Sequence, residues 1–223
     1  MSEAVSQRES SDATLRQEIV SVAQAIDKAG FCPSKSGNVS ARLGEGLLIT
    51  PSGLPYAQTM PDDLIHLSLD GALLSGARKP SSEWPFHVAI YQARPDAKAI
   101  VHTHSPRATA LSCARRGIPA FHYMIALCGG ADVRCADYAT FGTPELAENA
   151  VRGLDGRKAV LLANHGVIAL GGSLAGAHQI VAEVENLAGQ YLDLLAAGLD
   201  PVILDADEMS RVAERFAGYG KAG

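Results

Sequence analysis

The sequence predicts one α/β domain on a largely antiparallel or mixed sheet, and three observations carry that prediction. Short apolar runs around residues 47–50 and 64–69 are punctuated by residues 44–46, 51–53 and 70–71, which suits antiparallel strands joined by tight turns. Helical patterns and further apolar runs follow, so helices are available to cover the strands. Strand and helix signals nevertheless never alternate with the regularity of a βα barrel. The 223 residues suffice for one well-buried core, and no internal repeat, linker or low-complexity stretch divides them. The expected layout is a flexible tail over residues 1–12 and a single domain over 13–223.

Element by element, the first helix signal starts at Asp12, a good N-cap residue. Leu15, Ile19, Val22, Ala23 and Ile26 share one face, and the pattern stops at Gly30. After the turn-like Ser36-Gly37-Asn38-Val39-Ser40 and the two apolar runs, a second helix is expected over 82–93. Serines open it and Arg94-Pro95 closes it. Residues 99–103 read as a buried strand and 106–115 as a helix with proline near its start. A short helix over 144–153 precedes apolar strands at 159–163 and 167–170, which flank Asn164-His165-Gly166. A long amphipathic helix over 173–197 and a short one over 207–216 complete the reading.

Composition excludes several classes of function. The formal net charge is −5 and the densest basic stretch is Arg115-Arg116, so no nucleic-acid-binding stripe is expected. No window approaches the ~20 apolar residues of a membrane helix. Residues 1–11 are polar and lack the apolar stretch of a signal peptide. The four cysteines, Cys32, Cys113, Cys128 and Cys135, are scattered without a Cys-x-x-Cys spacing. They point to buried thiols in a reducing cytoplasm rather than a disulfide framework.

Chemistry enters with His102-Thr103-His104 at the end of the 99–103 strand. Alternate strand residues face the same side, ~7 Å apart along the backbone, so two imidazoles there can grip one ion. Read alone, the pair also fits two polar residues on an exposed strand end. His165 lies between two very apolar runs, where an imidazole needs a partner or a ligand. Gly166 behind it leaves room for close approach. Glu83 follows Ser81-Ser82 at a helix start, where a carboxylate is either a favourable dipole partner or, near three histidines, a ligand and proton carrier. Three further segments, Gly37-Asn38, Thr50-Pro51-Ser52-Gly53 and Ser81-Ser82, combine small residues, hydroxyls and free N–H groups. Singly they are turns; together they make an anion pocket suited to phosphate. No Walker or dinucleotide fingerprint is present.

Six motifs in order then carry a resemblance. They are Gly37-Asn38-Val39-Ser40, Ile49-Thr50-Pro51-Ser52-Gly53, Ser81-Ser82-Glu83-Trp84, Val101-His102-Thr103-His104, His122-Tyr123-Met124-Ile125-Ala126 and Asn164-His165-Gly166. From about Leu15 to Tyr219 the chain resembles the class II aldolase/adducin-head family, most of all its fuculose 1-phosphate aldolase type. The resemblance implies a three-layer α/β sandwich around a mainly antiparallel sheet, and a homotetramer with active sites between subunits. It implies one divalent ion per subunit, zinc before manganese or cobalt, on His102, His104, His165 and Glu83. Gly37, Asn38, Ser52, Gly53, Ser81 and Ser82 would form the substrate-phosphate pocket. Tyr123 would reach a neighbouring subunit's site, and Tyr219 would close over the substrate.

The implied reaction is retro-aldol cleavage of a ketose 1-phosphate to dihydroxyacetone phosphate and an aldehyde. Fuculose, 5-deoxyribulose and 5-methylthioribulose 1-phosphates are the candidate substrates. The cleavage leaves negative charge as an enediolate, which a Lewis acid stabilises without a Schiff-base lysine. Glu83 would carry the enediolate proton and Tyr123 that of the C4 oxygen, while Phe141 and Met124 would face the aldehyde end. The same scaffold also hosts methylthioribulose 1-phosphate dehydratases, sugar-phosphate 4-epimerases, phosphorylated keto-acid decarboxylases and non-catalytic adducin-like modules. Epimerase members typically carry Asp at the place of Glu83, and modules tend to lose the metal ligands; this chain keeps Glu83 and all three histidines.

Overall fold

A computed structural model describes residues 2–218, and side chains over 12–216. Among the described residues eight strands form one sheet: β1 (Asn38–Leu43), β2 (Gly46–Ile49), β3 (Ile65–Ser68), β4 (Leu73–Ser75), β5 (Ala99–Thr103), β6 (Arg134–Ala136), β7 (Ala159–Leu162) and β8 (Gly166–Gly171). Their order is β4-β3-β2-β1-β5-β8-β7-β6. Every pairing is antiparallel except β6 with β7. The helices are α1 (Ser2–Lys28), α2 (Trp84–Ala93), α3 (Pro106–Cys113), α4 (Pro144–Gly153), α5 (Leu174–Ala196) and α6 (Ala206–Gly218).

Period-two alternation splits the apolar residues into two cores, one on each sheet face. Val39, Ala41, Leu48, Val101, Leu161 and Val167 belong to the core that includes residues of α1, α3 and α5. Leu47, Ile49, Ile100, Val160, Leu162 and Ile168 belong to the other, with Phe86 and Ile90 of α2 and Leu146 and Ala150 of α4. The expected three-layer sandwich on a mainly antiparallel sheet is therefore what the chain forms.

Several boundaries differ from the sequence reading. α1 begins at Ser2, because Asp12 does not cap it: its carboxylate takes a hydrogen bond from Arg16 Nε at 2.8 Å, an i,i+4 pair inside the helix. The residue at the N-cap of α2 is Glu83, and no side chain caps that helix. Strands β1, β4 and β6 had no strand reading in the sequence. β1 matters most, since it pairs with β5 and sets Asn38 opposite His102. On the α2 side, β1 presents Asn38 and Ser40 where neighbouring strands present Leu47, Ile49 and Ile100, so the apolar signal is missing there.

Candidate metal centre

A strand end, a turn and a helix start converge on one point. His102 lies within β5, and His104 follows its last residue, held by its own N–H to the Phe31 carbonyl at 2.9 Å. His165 sits in the turn between β7 and β8. In that turn Asn164 adopts φ 56, a left-handed conformation that Asn tolerates better than most residues. The Asn164 N–H donates to the Ser112 carbonyl at 3.0 Å, and the His165 N–H to the Leu162 carbonyl at 3.0 Å. Ser112 is fully buried near the end of α3, and its Oγ lies 3.3 Å from the His165 nitrogen. This contact fixes the turn that aims the imidazole.

Glu83 starts α2 only 7% exposed, with its carboxylate turned onto the histidines. Oε2 is 3.2 Å from His102 Nε2, Oε1 is 3.0 Å from His165 Nε2, and the Nε2 atoms of His102 and His104 are 3.0 Å apart. One ligand atom from each of the four residues lies within 4.8 Å of all the others. His102 Nδ1 donates to the Val167 carbonyl at 3.0 Å, which leaves Nε2 as a lone pair aimed at the centre.

Electrostatics agree with the geometry. Burial raises the Glu83 carboxyl, but His102 and His165, when they carry a proton towards it, outweigh burial and hold the group well below the usual carboxylate range; a cation bound by the neutral rings would supply the same positive charge. Burial, then the neighbouring His102 and His165, pushes His104 down to about 3, so the ring stays neutral and able to ligate. A tetrahedral ion with bonds of about 2.0 Å sets its ligand atoms roughly 3.3 Å apart. The 3.0 Å separations of Glu83 Oε1 from His165 Nε2, and of His102 Nε2 from His104 Nε2, fit that requirement. The residues therefore suit a divalent cation of the kind bound by nitrogen and oxygen donors.

Gly166 protects this arrangement. A Cβ there would lie 2.4 Å from the Thr103 carbonyl oxygen and 3.0 Å from His104 Cδ2. Gly166→Ala is expected to push β8 off β5 and displace the His104 ring. Such overpacking costs ~1–3 kcal/mol, and strain of that size borne by the metal-bound form alone lowers the affinity for a divalent ion by about 5–150-fold. Competition with a chromogenic chelator measures it, and wild-type affinity would show that the strand pair yields elsewhere.

The centre opens into a cavity of about 280 Å³ lined by Glu83, His104 and His165, by Ser36, Gly37, Ser82 and Asn164, and by Tyr138, Ala139 and Phe141. Of the six expected phosphate contacts, Gly37 and Ser82 line it. Gly37 has φ 105, and a Cβ there would lie 2.7 Å from the His102 carbonyl oxygen. The Asn38 side chain lies behind the carboxylate, donating from Nδ2 to Glu83 Oε2 at 2.9 Å. Ser52 and Gly53 are exposed and Ser81 is buried. A bridge between Pro51 and Pro80 and the Ser81 N–H to Thr50 carbonyl bond at 3.0 Å join the two segments.

Tyr123 is not at this centre. It opens a 3-10 turn (Tyr123–Cys128), is 50% exposed, and stacks on His122 and Phe216 at 4.9 and 6.2 Å between ring centres. Met124 packs against the α1/α3/α5 core instead of lining the cavity, whereas Phe141 does line it. Tyr219 lies outside the described residues. Sequence reasoning missed Tyr138, which carries no local signal, and His87, whose signal is its i,i+4 spacing from Glu83.

The sequence matches the family described as Class II Aldolase and Adducin N-terminal domain over residues 17–192. It is 50% identical over 206 residues to a 5-methylthioribulose-1-phosphate/5-deoxyribulose-1-phosphate aldolase of Rhodospirillum rubrum, covering 92% of each chain. It is 44% identical to the L-fuculose phosphate aldolase of Escherichia coli K12, over 92% of this chain and 95% of that one. A solved L-fuculose 1-phosphate aldolase superposes with a TM-score of 0.88 at 41% identity, covering 92% of this chain and 96% of the other.

Proposed function

Since the chain belongs to the class II aldolase and adducin family, we propose that it is a zinc-dependent lyase that cleaves a ketose 1-phosphate to dihydroxyacetone phosphate and an aldehyde. The convergence of His102, His104, His165 and Glu83 is the observation that carries this reading. A bound divalent ion supplies Lewis-acid stabilisation of the charge that develops on the ketol oxygens of the substrate. Glu83, ionised in the resting site, would take the C3 proton in the condensation direction and, by microscopic reversibility, carry the proton returned to C3 when the C3–C4 bond breaks. Tyr123 takes the proton of the C4 hydroxyl as that carbon becomes the aldehyde. Gly37 and Ser82 on the cavity wall, with Ser52, Gly53 and Ser81 on the adjoining segments and the backbone of Asn38, receive the phosphate through N–H groups and hydroxyls, and Tyr219 closes the site.

The exposure of Tyr123, away from its own chain's cavity, supports a homotetramer in which it serves a neighbour. Ala139 and Phe141 make part of the cavity wall apolar, which favours a deoxy or methylthio end on the aldehyde over a polar one. All four cysteines are free; Cys32 and Cys128 are buried as expected, whereas Cys113 is exposed and Cys135 half-buried, and free thiols support a reducing cytoplasm. Among the described residues no helix is long and apolar enough to cross a membrane.

A coupled assay for dihydroxyacetone phosphate tests the reading. Fuculose, 5-deoxyribulose and 5-methylthioribulose 1-phosphates are supplied with zinc, manganese or cobalt, against a chelated control. Release that depends on metal and is fastest with the 5-deoxy and 5-methylthio substrates is expected. No release from metal-loaded protein would reject the aldolase reading in favour of dehydration or decarboxylation on the same scaffold.

A further inference from the structure

A line of polar side chains runs from the back of Glu83 into the layer between the sheet and α2. Asn38 Oδ1 is 2.5 Å from His87 Nε2, His87 Nδ1 is 2.7 Å from Ser40 Oγ, and Ser40 Oγ is 2.9 Å from the Tyr91 hydroxyl. Asn38, Ser40, His87 and Tyr91 are each at most 1% exposed, amid Phe86, Ile90 and Ile100 of the α2-side core. Polar groups in such a layer are costly unless every one is satisfied.

Donors and acceptors order themselves from one end. An ionised carboxylate only accepts, so Asn38 must turn its NH2 to Glu83, as it does at 2.9 Å. Its Oδ1 then faces His87 and demands a proton on Nε2. His87 Nδ1 is left as an acceptor, filled by the Ser40 hydroxyl, which accepts from Tyr91 in turn. Burial, then the neighbouring His102, lowers His87 to about 3 and keeps it in this neutral form. Glu83 Oε2 is therefore held from behind, while Oε1, 3.0 Å from His165, has no aligned hydrogen bond among the described residues.

We propose that His87 is a positioning residue for Glu83: by fixing the Asn38 amide it commits Oε2 and leaves Oε1 as the oxygen that ligates and carries the proton. This rests on the aldolase reading above. His87 touches neither substrate nor metal; its effect passes through Asn38. Glutamine can place an N–H where Nε2 stands, whereas leucine fills the space without a donor.

The test compares His87→Leu, His87→Gln and Ser40→Ala with the wild type, as metal-loaded full-length protein. Readouts are kcat, KM, metal content and the visible spectrum of the cobalt-substituted form. Loss of an orienting partner at a metal site typically costs 10–100-fold, so His87→Leu should lose about that in kcat with KM within about twofold. Its cobalt spectrum should shift, and His87→Gln should recover most of both. Ser40→Ala should show a smaller loss in the same direction, and it carries the test if the leucine variant does not fold. Wild-type kcat and cobalt spectrum in His87→Leu, or in Ser40→Ala should leucine not fold, would overturn the proposal. So would a glutamine variant no better than leucine. A wild-type enzyme inactive on every ketose 1-phosphate would instead defeat the aldolase reading, and the cobalt spectra would still decide the positioning.

Discussion

Replacing His104 with alanine is expected to remove both bound metal and turnover. Its Nε2 lies 3.0 Å from that of His102, and Glu83 and His165 close the set. Without His104, any ion would need Glu83 as a permanent ligand, and the same carboxylate would no longer be free to move a proton. Zinc per chain after dialysis should fall from one to near zero. The fold should survive, because the His104 backbone, not its side chain, makes the bond to Phe31. A bound ligand stabilises by RT ln(1 + [L]/Kd), about 4 kcal/mol at a thousandfold excess over Kd. Zinc should therefore raise the melting temperature of the wild type and leave that of His104→Ala unmoved. Full metal stoichiometry in the variant would remove His104 from the ligand set.

Tyr123→Phe should lower kcat by about 10²–10⁴-fold, the usual worth of a positioned acid or base, with metal content unchanged. The ring stacks on His122 and Phe216, contacts that phenylalanine keeps, so only the hydroxyl is tested. A hybrid experiment separates its placement from its chemistry. If Tyr123 serves a neighbouring chain, mixed oligomers of Tyr123→Phe and His104→Ala chains regain activity that neither parent has. In such a hybrid the His104→Ala chain lends its tyrosine to an intact metal centre. Unchanged kinetics in Tyr123→Phe would refute the proton-transfer role, and inactive hybrids would place the tyrosine and the ligands in one chain.

Much of the fold was legible because its elements carry strong local signals. Helix α4 matches its expected span, and α5 starts after Ser173, whose side chain accepts from the Gly176 N–H at 3.1 Å. The histidines that the structure brings together were legible because histidine is conspicuous between apolar runs and because the 102/104 spacing has period two. What escaped has a common cause. β1 is a central strand, yet Asn38 and Ser40 on its α2 face are polar because they serve Glu83 and His87. Function erased the alternation that would have announced a strand. β4 and β6 span only three residues each, too short for periodicity to register.

By itself the sequence determined the residue types that make a metal site possible, the order of the motifs, and the alternating apolar faces that force a layered sheet. Only the tertiary structure decided which oxygen of Glu83 is held and which is free. That choice depends on Asn38, 45 residues away in the chain, being set beside Glu83 by the pairing of β1 with β5. Hydrogen-bond direction along Tyr91, Ser40, His87 and Asn38 is likewise a property of contacts across the sheet. It is set by an acceptor-only carboxylate at one end and by the burial of the other groups. Local propensity acts over a few residues, and nothing within that range brings these groups together.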